Sequence, residues 1–239
     1  KIMSSKKVAK DIVQSSLVDI KPITDNQKIV FDSWKKDKHQ FMYGSAGTGK
    51  TFVSLYLGLR DVLDLKTPYD KVILVRSLIP TREIGFLPGD EEDKAALYQV
   101  PYQNMVRWMF KMPNEQSFNN LYDKLKSQGS LFFLSTSFLR GLTFDNSVII
   151  VDECQNLNFH ELDTIITRVG QDSRIVFCGD FGQTDLQKTS EKNGIYNFLH
   201  ILQEMEEFNC IEFGIGDIVR SGFIRNYIIN KIKMGFHGE

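Results

Sequence analysis

Apolar residues come in short unbroken runs along this chain. They stand at 41–43, 72–75, 131–134, 148–151 and 175–178, with a weaker run around Ile211. Runs rich in Val, Ile and Phe, without polar alternation, are what strands buried on both faces look like. Between them lie segments with helical spacing. One follows Thr24, where Gln27 three residues on makes a capping-box pattern; others cover 52–65, 102–112, 117–127, 195–202 and 223–233. A further helix starts at Asn158 with Glu161 in the capping position and ends near Arg168 and Gly170. Strands alternating with helices predict an α/β fold, a mostly parallel sheet with helices on both faces in three layers. Ligands of such sheets bind at the carboxyl ends of the strands. The polar punctuation of this sequence stands at those ends.

The first strand runs into Gly44, Ser45, Ala46, Gly47, Thr48, Gly49, Lys50 and Thr51. G-x-x-x-x-G-K-[ST] between a strand and a helix is a P-loop. Its glycines let consecutive N–H groups turn inward around phosphate, and the following helix points its positive end at the same anion. Lys50 adds charge for the β- and γ-phosphates, and the Thr51 hydroxyl is placed for Mg2+. Upstream, Gln27 has two readings: part of a helix cap, or an amide that bonds the adenine edge.

The run 148–151 ends in Asp152-Glu153. A carboxylate at a buried strand end suits Mg2+, so Asp152 is the second metal residue and Glu153 the group that polarises an attacking water. This pair favours hydrolysis over transfer to a small-molecule acceptor. Gly179-Asp180-Phe181-Gly182-Gln183 follows the next strand, and Gln183 is read as a γ-phosphate sensor. The stretch 78–101 is expected to be a long, turn-rich connection carrying the acidic residues Glu91, Glu92 and Asp93. Residues 1–21 suggest nothing beyond an arm or a short helix.

Composition adds bounds. The 239 residues are 42% hydrophobic, enough for one large domain, and 29 basic against 30 acidic residues give a net charge of −1, with no global field for nucleic acid. Three cysteines, odd in number and without metal-ligand spacing, fit reduced thiols. No apolar run is long enough for a signal peptide or membrane span, so a cytoplasmic location is expected.

Taken together, Gln27, the P-loop, V-D-E-C-Q-N at 151–156 and G-D-F-G-Q at 179–183 resemble the first RecA-like lobe of superfamily-one helicases. The fuller resemblance is to PhoH-like ATPases. It is carried by Arg76, G-F-L-P-G at 85–89, R-G-L-T at 140–143, T-R-V-G at 167–170 and D-I-V-R at 217–220, over about residues 22–225. It departs at Ser77, Cys154 and Ser221-Gly222. The resemblance implies a RecA-like P-loop NTPase fold, one domain over 22–239 with an insertion at about 77–127, Mg2+ and ATP as cofactors, and Gln27 and the 85–89 loop as functional. It also implies ATP hydrolysis coupled to RNA or single-stranded DNA. Arg76, Arg82, Arg107, Lys111 and Arg140 are candidate backbone contacts, and Phe86, Tyr102 and Trp108 candidate stacking platforms. About fifty-five residues follow Gln183, too few for a second lobe. A neighbouring subunit is therefore expected to supply an arginine, first Arg220 and then Arg225, from a homo-oligomeric ring, by analogy a hexamer. The competing readings are an ATP-gated scaffold for a protein partner and a small-molecule kinase.

Overall fold

The structure is a computed structural model. It describes residues 10–77, 91–136, 139, 141–182 and 193–234, with the backbone alone at 91–97 and 193. Within these residues six strands form one sheet: β1 His39–Gly44, β2 Lys71–Arg76, β3 Leu131–Ser135, β4 Ser147–Val151, β5 Arg174–Gly179 and β6 Phe208–Phe213. Their order is β3-β2-β4-β5-β1-β6, and every pairing is parallel. The helices are α1 Asp25–Trp34, α2 Lys50–Val62, α3 Glu91–Phe110, α4 Glu115–Ser127, α5 Phe159–Ile166, α6 Asn193–Gln203 and α7 Gly222–Lys233.

The unbroken apolar runs follow from burial on both faces. Successive side chains of a strand point to opposite sides, and each side has its own core. Met42, Val72, Leu74, Ile150 and Val176 pack with Val30, Leu55, Val106 and Leu125 of α1 to α4. Phe41, Ile73, Val75, Ile149 and Phe177 pack with Leu162, Ile165, Phe198 and Leu199 of α5 and α6. A polar residue anywhere in these runs would face one core or the other.

Two expectations change. The stretch expected to remain irregular up to residue 101 is helical from Glu91, so α3 runs through Pro101. An acidic run suits the positive end of a helix, and Pro101 interrupts the spacing without ending the helix. Residues 10–21 do more than trail as an arm. They lie across α2 and α3, with Gln14 N donating to Leu63 O at 3.2 Å and Val18 N to Met109 O at 2.8 Å. This strap covers α2, whose Leu55, Leu57, Leu59 and Val62 are fully buried.

At the amino ends of the strands sits a buried cation. Arg174 opens β5, 1% exposed. Its Nη2 donates to Asp37 Oδ1 at 2.7 Å, and Nη1 faces Asp61 Oδ2 at 3.5 Å. The guanidinium lies over the Trp34 ring at 4.3 Å and the Tyr69 ring at 5.2 Å, and Trp34 Nε1 donates to the same Asp61 at 2.6 Å. Beside it, burial and the Arg174 charge lower the pKa of His39, whose Nδ1 accepts from Ile175 N at 3.1 Å.

Candidate nucleotide site

The carboxyl ends of β1, β2, β4 and β5 converge on one polar cluster. β5 lies between β1 and β4, so the P-loop and Asp152 start two strands apart, roughly 10 Å. Side chains must bridge that gap.

The P-loop begins where β1 meets the end of β6. Gly44 has φ +120°, and a Cβ there would lie 2.1 Å from Phe213 O, so only glycine lets the strands run on together. Ser45 N donates to Phe213 O at 2.9 Å. Gly47 and Gly49 take left-handed conformations, at φ +74° and +83°, and α2 starts at Lys50. Thr48 is buried and donates to Ser45 O at 3.0 Å, while Ala46 is exposed at the tip. Lys50, 4% exposed, donates to Gly44 O at 3.2 Å, Ser45 O at 2.8 Å and Thr48 Oγ1 at 3.3 Å, and pairs with Asp180 Oδ1 at 2.7 Å. The ammonium is therefore held inside the loop, and Asp180 joins the site from the end of β5.

A second segment clasps the loop from outside. Asp217 accepts from Asn26 Nδ2 at 2.7 Å and from Gly214 N at 2.9 Å, which closes the turn after β6 and ties it to α1. Val219 N then donates to Gly47 O at 3.0 Å. A Cβ on Gly47 would meet Arg220 Cγ at 3.0 Å. Arg220 thus lies on the P-loop of its own chain. The Asp217 turn brings the segment back over Gly47, and Arg220 itself is exposed there.

Gln27 is buried, and its amide is committed within the protein. Oε1 accepts from Ile23 N at 3.0 Å and Nε2 donates to Thr48 O at 3.1 Å. Thr24 caps α1 by accepting from Gln27 N at 3.2 Å. The capping role is present, and the side chain braces the loop; no adenine contact is needed to explain its burial.

Asp152, 8% exposed, is held through both carboxylate oxygens. Thr51 Oγ1 donates to Oδ1 at 2.7 Å and the Tyr102 hydroxyl to Oδ2 at 2.7 Å. Asp152 N donates to Val75 O at 2.9 Å, continuing the ladder one residue beyond β4. Glu153 then adopts φ +53°, an unfavourable conformation for a side chain of this kind. That break sends the adjacent carboxylates to different partners, because Glu153 Oε2 accepts from Gln155 Nε2 at 2.6 Å. Gln155 Oε1 in turn accepts from Asp180 N at 3.1 Å. Burial, and then the Asp152 charge, raise the Glu153 pKa above the ordinary carboxylate value. A raised pKa makes a carboxylate a better proton acceptor.

Among the described residues, no cluster of three or more His, Cys, Asp or Glu side chains gathers to hold a metal. One carboxylate and one hydroxyl 2.7 Å apart suit Mg2+, a hard ion that takes its remaining ligands from water and phosphate. Thr51 and Asp152 therefore fit the ion expected of them.

The residues expected to meet nucleic acid fare unevenly. Tyr102 is 2% exposed with its hydroxyl on Asp152, so it cannot serve as a stacking platform. Arg76 is half-buried and close to Tyr102, Asp152 and Glu153. Arg107 lies over the Phe118 ring and pairs with Glu115 at 3.7 Å. Trp108 is 58% exposed, and Lys111 is exposed. Gln183, Arg82, Phe86, Arg140 and the 85–89 loop lie outside the described residues. Tyr102, Gln155, Asp180 and Asn26 join the site unannounced. Of these only Gln155 and Asp180 sat inside a motif.

The chain is similar to known proteins. Protein PhoH2 of Bacillus subtilis is 37% identical over 147 residues, 60% of this chain and 32% of that protein. Protein PhoH of Escherichia coli is 32% identical over 183 residues, 76% of this chain and 49% of that protein. The chain spans from 32% to 61% of the length of the curated relatives it matches. Among solved structures, the large terminase of a thermophilic bacteriophage in complex with ADP aligns with a TM-score of 0.50 at 14% identity. That alignment covers 88% of this chain and 50% of the terminase, and speaks to the fold alone. The family model for PhoH-like proteins matches residues 19–232. Its span takes in the P-loop, the Asp152 turn and the Asp217 clasp alike: the chain belongs to the PhoH-like protein family.

Proposed function

We propose that this chain is a Mg2+-dependent ATPase whose turnover is coupled to RNA or single-stranded nucleic acid, working as a homo-oligomeric ring. The observation that carries the ATPase reading is the 2.7 Å bond between Thr51 and Asp152, which joins the P-loop to the second carboxylate strand. Thr51 and Asp152 would hold Mg2+, which would supply charge neutralisation to the phosphates. Lys50 and the loop amides hold the phosphates. Glu153, with its raised pKa and its Gln155 brace, accepts a proton from the attacking water as the water oxygen bonds to phosphorus and the β–γ bridging oxygen leaves. Arg220 reaches the same phosphates from the clasp, and Gln183 senses the γ-phosphate.

Support for association comes from α7. Phe223 is 81% exposed and Tyr227 63%, and Ile224 is exposed beside them. On the same helix, Ile228 Cδ1 lies 3.5 Å from where a Gly47 Cβ would be, so this apolar surface borders the P-loop. A second copy covering it would bury that surface and bring residues to the site, with Arg225 the candidate in trans. Support for nucleic acid is the kinship with helicase-like lobes together with Trp108, exposed on α3 beside Arg107 and just ahead of Lys111.

The test is ATP turnover against protein concentration, with and without poly-nucleotide, at two salt concentrations. The proposal expects specific activity to rise with concentration and with poly-nucleotide, the latter effect fading steeply with salt. Full activity at high dilution would remove the ring. Turnover indifferent to every RNA and DNA would remove the coupling and favour a nucleotide-gated scaffold.

A further inference from the structure

A carboxylate at a strand end can turn about two torsions unless both of its oxygens are held. Thr51, the P-loop threonine, holds one oxygen of Asp152. The other is held by Tyr102, which comes from α3, a helix inserted between β2 and β3. Tyr102 has little freedom to let go. Its ring is 2% exposed and packs 5.7 Å from the Phe133 ring on β3. Arg76, at the end of β2, lies close to the same hydroxyl and to Asp152. Arg76 also sits over the ring of Tyr98, one turn earlier on α3, at 5.7 Å. Two donors thus meet on one carboxylate: Thr51 from the P-loop helix and Tyr102 from the inserted helix, with the Arg76 charge close by.

We propose that Tyr102 is a positioning residue for the metal-binding carboxylate, and that its bond to Asp152 makes metal binding depend on the seating of α3. The proposal rests on the Mg2+-ATPase reading and deepens it. The hydroxyl fixes which lone pairs of Asp152 face Thr51 and the ion, the work that outer-shell groups do around metal ligands generally, where their loss costs about 10- to 100-fold in metal affinity or activity. A tyrosine that merely filled the core would leave the metal response unchanged when its hydroxyl was removed.

The experiment follows binding of a fluorescent ADP analogue by anisotropy, first in EDTA and then through a Mg2+ titration, for the native chain, Tyr102→Phe and Lys50→Ala. Tyr102→Phe keeps the ring on Phe133. It should bind nucleotide in EDTA as the native chain does, yet need about tenfold more Mg2+ to reach the midpoint of its metal-dependent tightening. Lys50→Ala should lose binding with and without metal. Should Tyr102→Phe fail to fold, Phe133→Leu, which loosens the seat of the Tyr102 ring, takes its place, with a shift in the same direction and smaller. A native Mg2+ midpoint in the folded variant would overturn the proposal, as would an equal loss of binding in EDTA, which marks general damage. A native chain that binds no nucleotide would bring down the ATPase reading itself, an outcome distinct from either.

Discussion

At the amino end of the sheet Arg174 is 1% exposed; at the carboxyl end Lys50 is 4% exposed, and each cation has a carboxylate 2.7 Å away. The likeness stops there. Arg174 lies between two aromatic rings with Asp37 and Asp61 around it, and its neighbours Trp34, Asp61 and His39 are bonded to one another or to the backbone. Its charge is met by the exposed Asp37 and the mostly buried Asp61, while its buried Nε and Nη1 have no hydrogen-bond partner among the described residues. Lys50 is gathered with loop carbonyls and Asp180 on a glycine-rich turn, next to Asp152 and a strained Glu153. That end concentrates charge of both signs on conformations that cost energy to hold. Buried charge closed by aromatic packing belongs to stability, and buried charge on strained backbone at strand ends belongs to a ligand.

The sharpest way to break this contrast is Arg174→Ala. Removing the buried side chain empties its place against the Trp34 and Tyr69 rings and takes one cation from the mostly buried Asp61, at a cost of about 2–5 kcal/mol, a large part of the stability of a domain this size. Chemical denaturation should show that loss, while the folded fraction keeps its nucleotide affinity. A loss under about 1 kcal/mol would show that the amino end is not the structural one.

Next in size is Glu153→Gln, which should cut turnover by at least about 10²-fold through loss of the proton acceptor, with nucleotide still bound. Native turnover in this variant would remove Glu153 from its role. Its effect on stability has the opposite sign to that on activity. Burial and Asp152 raise the folded pKa of Glu153, so the folded chain holds that proton more tightly than the unfolded chain. Ionised Glu153 therefore destabilises the fold above its raised pKa, and the penalty disappears as pH falls towards the ordinary carboxylate value. Glu153→Gln should be the more stable protein at neutral pH, with the gap closing on acidification.

His39 works the other way. Its folded pKa is lowered by burial and by Arg174, so the unfolded chain takes up the proton first. Stability from the amino end is present above the ordinary histidine pKa and is lost as pH falls below it. The two ends of one sheet should thus respond to acid with opposite signs, a smaller effect readable from stability against pH for the native chain and Glu153→Gln.

How much of this was legible in the sequence follows from where each interaction lies along the chain. The strands could be read because β1, β2, β4 and β5 are buried on both faces and appear as apolar runs. The P-loop and Asp152-Glu153 could be read because their chemistry is local: a glycine must sit where φ is positive, and a carboxylate must follow a strand. Tyr102 could not. It follows Pro101 in a stretch that looks like a helix start, and only the packing of α3 on β3 carries its hydroxyl to a residue 50 positions away. Arg220 was legible as a motif but its place beside Gly47 was not, since the Asn26 to Asp217 bond that anchors its segment joins residues 191 apart. Arg174 looked like no more than the polar start of a strand.

The central claim is that the carboxyl end of the sheet, and not the amino end, is built for an external Mg2+-nucleotide. The most direct measurement is the thermal midpoint with and without Mg2+-ADP, in the native chain, Lys50→Ala and Arg174→Ala. A ligand at about 100 times its Kd stabilises by about 2.7 kcal/mol. The account predicts a clear upward shift in the native chain and in the destabilised Arg174→Ala protein, and none in Lys50→Ala. No shift in the native chain, or an equal shift in Lys50→Ala, would contradict it.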